Sequence, residues 1–439
     1  MLRRLAARLA LAFASAALVA VAFELGLRAL GYGALYDVYS KPEIFWVHDD
    51  LLGWRHDRGV SGRYVGPRPF PVEFDAEVEI NSLGMRGPEI APRPPDGVRI
   101  LFLGDSVVAG FEVPYAQTFA HLAGVHLSER LGVPVQTLNG AVRGYGTDQS
   151  YLWYRERGKG LQPDWVVFVH SLNDPTDNME LHRMRRLFGK GAFALRADGS
   201  LELLGTPVPE YPLCSHWRLD ERYVPTRMDG VAQRAYCAVE LSLSDRSALF
   251  SLAAMRLAQH KPVLEAIWYW AVPARKAAQR ARDAGGRAFA AAGRALGPNA
   301  AAAQAATLQA GARSASASER LTSALLVALA REVRTSGARL LIVIRDTELA
   351  RMDTHALRIE GAIARTIYMD PARAAGRRVT FVNDNHYTAL GHELTGRALA
   401  DALAPLVRRV DSANAPAAPA APTPAATPRG EASQEGASR

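Results

Sequence analysis

Ser106 stands in "GDSVVAG", directly after the apolar run "VRILFL", and its hydroxyl is a poor nucleophile unless an imidazole lies close enough to take its proton. That chemistry needs a base, an acid to orient the base, and donors for an oxyanion. His386 in "DNHYTALGH" is a candidate base, with Asp384 two residues before it as the orienting acid. The backbone N–H of Ser106, the backbone N–H of Gly144 in "NGAVRGYGTDQ" and the side-chain amide of Asn173 in "HSLNDPTDN" are candidate oxyanion donors. A serine in a turn is more often a helix cap than a nucleophile. What these residues share is position, because each follows an apolar run that reads as a strand.

Other residues compete for these roles. "MDTHALR" repeats the Asp-x-His spacing with Asp353 and His355, although its plain reading is a helix start capped by Asp353 or Thr354. His392 falls inside the last helical segment and His170 at the end of a strand, and both read as packing or hydrogen-bonding residues. No compact ligand set such as His-Glu-x-x-His points to a metal, and no cofactor is implied. The serine motif is not Gly-x-Ser-x-Gly, which argues against the nucleophile elbow of the α/β-hydrolases.

The elements that must position these residues alternate between strand and helix. "VRILFL", "VPVQTLN" and "DWVVFVH" read as strands, with "QTFAHLAGVHLSERLG" and "DQSYLWYRERGKGL" as the helices between them. After residue 336 the alternation resumes: strand "ARLLIVI", a helix near "HALRIEGAIARTI", strand "RVTFV" and the final helix "ALGHELTGRALADALAPLVRR". The helix "ERLTSALLVALAREVRTSG" leads into this second half. Continuous apolar strands spaced by helices predict a parallel sheet covered on both faces, an α/β three-layer α/β/α sandwich. Ligands gather outside the carboxyl ends of such strands, where Ser106, Gly144, Asn173 and His386 would all lie.

The remaining segments set the context. Residues 1–32 hold three arginines before the uncharged stretch Leu9–Phe23, and read as a membrane anchor whose basic end stays in the cytoplasm. Ala20-Val21-Ala22 offers the alternative of a cleaved signal. Residues 33–97 are rich in Gly, Pro and aromatic residues and read as short strands wrapped on the core; residues 98–180 and 336–411 form that core. Residues 181–335 form an insertion expected to be mostly helical, including "LEAIWYWAV" and an Ala/Arg-rich run that could touch anionic lipid or polysaccharide. Residues 412–439 have too few apolar side chains to pack and read as a disordered tail. Cys214 and Cys237 could close a disulfide in an oxidising compartment or remain free thiols. The net charge of +8 suits anionic lipid or an acidic polymer, and no nucleic-acid-binding motif accompanies it.

The four blocks, in order, resemble the SGNH hydrolases, also called GDSL esterases and lipases. "GDSVVAG", "NGAVRGYGTDQ", "SLND" and "DNHYTALGH" are similar to that family's first to last blocks, and "LGWR" and "NSLGMRG" resemble the leader of its membrane-anchored bacterial members. The resemblance implies a flavodoxin-like sandwich, a Ser106-His386-Asp384 triad and an oxyanion hole from Ser106, Gly144 and Asn173. The spacing Asp-x-x-His, common in the family, would instead place Asn383 in the acid position, and Ser171 stands where the third block usually has Gly. The implied protein is an esterase on the periplasmic side of a bacterial inner membrane. It would remove or transfer a short acyl group, with acetyl the expected one, on a carbohydrate or envelope polymer. A different class of reading is a non-catalytic, polysaccharide-binding envelope protein on the same fold.

Overall fold

The computed structural model describes residues 2–29, 45–66, 72–182, 188–210, 214–244, 246–259, 316–344, 354–366, 376–382, 384 and 386–414. The apolar N-terminal segment forms one helix, Leu2–Ala29. Its Arg3–Ala29 span, with a mean hydropathy of 2.1 and no part buried by protein, is long and apolar enough to cross a membrane. Glu24 near its end accepts from the N–H groups of Ala248 (2.9 Å) and Leu249 (2.8 Å), capping the N-terminus of the Ala248–Gln259 helix.

The next segment builds two antiparallel hairpins. β1 (Trp46–Asp49) pairs with β2 (Gly53–His56), and β3 (Ser61–Gly66) with β4 (Phe74–Glu79). Phe74, Ala76 and Val78 face inward at the period of two that a half-buried strand requires.

The core sheet follows. β5 (Val98–Leu103), β6 (Val135–Asn139) and β7 (Trp165–His170) are parallel neighbours, with β5 between the other two. Short strands come next in the chain: β8 (Glu180–His182), β9 (Ala192–Leu195), β10 (Leu201–Leu204), β11 (Trp217–Leu219) and β12 (Pro225–Arg227). β13 (Arg339–Ile344) and β14 (Ile363–Thr366) then complete a five-stranded sheet in the order β14-β13-β7-β5-β6, with every pair parallel. The central strands β5, β7 and β13 are mainly apolar because both faces are covered, while the edge strands β6 and β14 carry Gln136, Thr137 and Arg365. Leu101, Leu103, Val166, Phe168, Ile342 and Ile344 face the helices Thr147–Trp153 and Ala317–Thr335. Their neighbours Ile100, Phe102, Val167, Val169, Leu341 and Val343 face the helices Phe119–Leu131 and Ala389–Asn414. The architecture is the three-layer α/β sandwich that the alternation predicts.

Two expected elements differ. "HALRIEGAIARTI" does not form one helix: Thr354–Ile359 is helical, Gly361 turns the chain at φ +77°, and Ile363–Thr366 becomes the edge strand β14. "RVTFV" is not a strand of the sheet. Its residues make a single bridge, Thr380 to Tyr387, and Phe381 packs on Phe74 of β4 with ring centroids 5.2 Å apart. That packing leaves Phe381 partly buried and Val382 exposed, so the apolar run lies outside the core sheet.

The described part of residues 181–335 opens with strands rather than helix, β9 with β10 and β11 between β8 and β12, before the helices Val231–Ser244 and Ala248–Gln259. The Ala317–Thr335 helix packs into the core itself. Cys214 and Cys237 form a disulfide with Cα atoms 5.5 Å apart. The Trp-rich and Ala/Arg-rich runs lie outside the described residues, as does the tail beyond Asn414, where the final helix ends.

Candidate active site

β5 is the strand at which the chain reverses direction across the sheet, since β6 lies on one side of it and β7 on the other. The crevice beyond the carboxyl ends at such a switch point is where open α/β sheets hold ligands. Ser106 leaves β5 there as the first residue of a one-turn helix, Ser106–Ala109, whose cap Asp105 accepts from Val107 N–H at 2.9 Å. Gly110, at φ +59°, ends the turn and directs the chain away, leaving the Ser106 side chain at the rim.

His386 comes from the loop that precedes the last helix. The loop is closed by Phe381 N–H donating to His386 C=O (3.1 Å) and Thr388 N–H to Val379 C=O (3.0 Å). Gly391 lets the final helix approach this loop, because a Cβ there would lie 2.2 Å from Val379 O. The result is a hydrogen-bonded line of three side chains. His386 Nε2 lies 2.8 Å from Ser106 Oγ, and His386 Nδ1 is hydrogen-bonded to Asp384 Oδ1, which also accepts from the His386 backbone N–H at 2.8 Å. With Nδ1–H given to the carboxylate, Nε2 is the acceptor for the serine hydroxyl. Burial pushes the Asp384 carboxyl up, but the hydrogen bond and charge of His386, with help from Arg143, outweigh it and leave its pKa below the ordinary value.

Gly144 and Asn173 stand on the loops after β6 and β7, the two strands flanking β5. Gly144 has φ +79°, a conformation open to glycine. Its loop is clamped by the N-terminal hairpin: Trp54 Nε1–H donates to Arg143 C=O at 3.0 Å, and Tyr145 O–H to Trp54 C=O at 2.5 Å. Asn173 is exposed, and its Nδ2 donates to Asp177 Oδ2 at 2.7 Å, which leaves one amide proton for another acceptor.

The structure also brings in two residues for which the sequence reading assigned no role. Glu112 and Arg143 meet beside the imidazole: Arg143 Nη1 donates to Glu112 Oε1 at 2.5 Å, and the same oxygen lies 3.4 Å from His386 Nδ1. Burial alone would weaken the Arg143 cation, yet the Glu112 carboxylate beside it holds its pKa above the ordinary arginine value. Arg143 lies inside "NGAVRGYGTDQ", next to Gly144, and Glu112 lies two positions beyond the end of "GDSVVAG", six after Ser106. That adjacency was the available signal. Glu112, Asp384 and His386 each bring one ligand atom within 4.8 Å of the others, a spacing that could hold a cation. The Arg143 guanidinium on Glu112 already supplies positive charge there.

His392 is buried in the final helix, its Nδ1 accepting from Phe119 N–H at 3.2 Å, and burial lowers its pKa to about 3. His170 is buried at the end of β7, and burial lowers it to about 4. Asn383, Asp353 and the side chain of His355 lie outside the described residues.

No known family's sequence profile matches the chain, and no curated protein matches it. Among solved structures, a mutant of an acetyl-xylooligosaccharide esterase from Geobacillus Stearmophilus is similar at 9% identity and a TM-score of 0.31, over 69% of this chain and 93% of that one. An alpha/beta hydrolase enzyme from the metagenome of Lake Arreo, Spain, is similar at 11% identity and a TM-score of 0.30, over 70% of this chain and 94% of that one.

Proposed function

We propose that the protein is a membrane-anchored serine esterase of the SGNH type, removing or transferring a short acyl group, acetyl above all, on a carbohydrate or cell-envelope polymer. The reading is carried by one observation, the hydrogen-bonded line from Ser106 Oγ through His386 to Asp384 at the switch point of the sheet. In this mechanism His386 Nε2 takes the Ser106 proton as Oγ attacks the ester carbonyl. Asp384 holds the imidazole in the required tautomer and stabilises the cation that forms. The N–H groups of Ser106 and Gly144 and the amide of Asn173 receive the oxyanion. The imidazolium then protonates the departing alcohol, and water or a sugar hydroxyl resolves the acyl-enzyme.

The N-terminal helix would hold the protein in a bacterial inner membrane with the α/β sandwich in the periplasm. Support for that side comes from the arginines at the helix's start and from the Cys214–Cys237 disulfide, which forms in oxidising compartments. The net charge of +8 fits an acidic polymer or an anionic lipid surface as a neighbour.

The test is hydrolysis of p-nitrophenyl acetate and its longer-chain homologues by the full chain in detergent, beside Ser106→Ala. Turnover confined to short chains and lost in Ser106→Ala supports the esterase. Turnover unchanged in Ser106→Ala sinks it. Acetyl release from an acetylated polysaccharide, with and without a sugar acceptor, separates hydrolysis from transfer.

A further inference from the structure

We infer that Glu112 is a second carboxylate for His386, a positioning residue that shares the Nδ1 side of the imidazole with Asp384. The inference rests on the proposed triad and extends it. The Glu112 side chain is fully buried, its Oε1 is 3.4 Å from His386 Nδ1, and its Oε2 is buried without a hydrogen-bond partner among the described residues. Removing a carboxylate from water is costly, and a buried ion pair is often no more stable than an apolar pair of the same shape. The Glu112–Arg143 pair is therefore poorly explained by packing. What an apolar pair could not supply is negative charge at the imidazole.

Arg143 holds Glu112 in that position. Its guanidinium lies over the Tyr64 ring at 4.9 Å and near the Phe111 ring at 5.7 Å, so an aromatic wall from β3 and from the segment after Ser106 fixes it. The groups facing the imidazole come from every side: Asp384 from its own loop, Ser106 and Glu112 from the β5 loop, Arg143 from the β6 loop, with His392 in the final helix and Tyr64 beyond Arg143. Among the described residues, two carboxylates and one guanidinium leave one net negative charge around the ring. A proton transferred from Ser106 to His386 cancels it. Without Glu112, the Asp384 carboxylate alone would offset both the Arg143 cation and the imidazolium.

The test uses the full chain in detergent with Glu112→Gln, Asp384→Asn and the double variant, read by kcat and KM on p-nitrophenyl acetate and by thermal unfolding. A second readout does not depend on turnover: the titration of His386 followed by NMR of 15N-histidine-labelled protein, its signal assigned with His386→Gln. Glu112→Gln is expected to lower kcat about tenfold at unchanged KM and to move the imidazole midpoint down by roughly one pH unit, since a nearby negative charge favours the cation. Asp384→Asn keeps activity that depends on Glu112, so the double variant loses more than the product of the two single losses. An imidazole midpoint unmoved by Glu112→Gln overturns the inference, as does a loss of activity that only tracks a loss of folded protein. If the midpoint moves but the wild-type chain turns over no ester, the contact stands and the esterase reading fails.

Discussion

Asn173 donates its side-chain amide to Asp177, one turn further along the chain, at 2.7 Å. Asp177 is itself buried, so the pair fixes which way the amide's second proton points. An oxyanion donor works by being oriented before reaction. Asn173→Ala should lower kcat about a hundredfold to a thousandfold. Asp177→Ala, which frees the amide to rotate, should cost about tenfold with little change in KM, measured by steady-state kinetics. Equal KM and kcat effects in Asp177→Ala would mean that Asp177 only supports the loop.

Gly144→Ala probes the second of the proposed donors. An added Cβ would meet Trp54 Cζ2 at 3.4 Å, an ordinary contact, so space is not the obstacle. The backbone is, because φ of +79° costs a non-glycine residue about 1–2 kcal/mol. The loop is expected to relax away from that angle and carry the N–H with it. A large loss of kcat with only a small fall in unfolding temperature is the expected outcome.

Asp174 next to Asn173 is fully buried, where it accepts from Ser171 N–H and the Thr147 hydroxyl, both at 3.2 Å. Burial, reinforced by Asp105, pushes its carboxyl well above the ordinary range. A raised acid pKa means the folded state holds a proton that the unfolded chain has released. Stability is then lost as pH rises above the unfolded value of about 4 towards the folded one. Asp174→Asn should gain stability relative to wild type as pH rises from 4, read from unfolding midpoints across that range. A constant difference would show that Asp174 does not titrate there.

Lys190 and Asp148 form a buried ion pair joining the segment before β9 to the Thr147–Trp153 helix. Lys190→Met strands the carboxylate and should cost about 3–5 kcal/mol in denaturant unfolding. Adding Asp148→Asn should recover part of that loss. No recovery would mean that the lysine's packing, rather than its charge, is what matters.

Much of this arrangement was legible in the chain. The apolar strands of the core and most of their helices followed from period and residue type, the four motifs came from the family resemblance, and Ser106, Asp384 and His386 do meet. Where reading failed, the reason was tertiary. "VTFV" reads as a core strand from its apolar residues, but Phe381 is only partly buried, and it packs on Phe74 of a hairpin more than 300 positions earlier in the chain. Glu112 and Arg143 were passed over because a lone Glu and a lone Arg in a loop carry no periodic signal.

By itself the sequence determined local matters in the core: that β5, β6, β7 and β13 are strands with helices between them, that both faces of the sheet are covered, and which residue types end those strands. These depend on side-chain pattern within a few residues. Only the tertiary structure decided which loops face one another, that a hairpin far upstream clamps Arg143 and Gly144 through Trp54, and that a second carboxylate reaches the imidazole. Such contacts join residues with no fixed separation along the chain. Their energies depend on distance and burial, and both exist only once the sheet has closed its two faces.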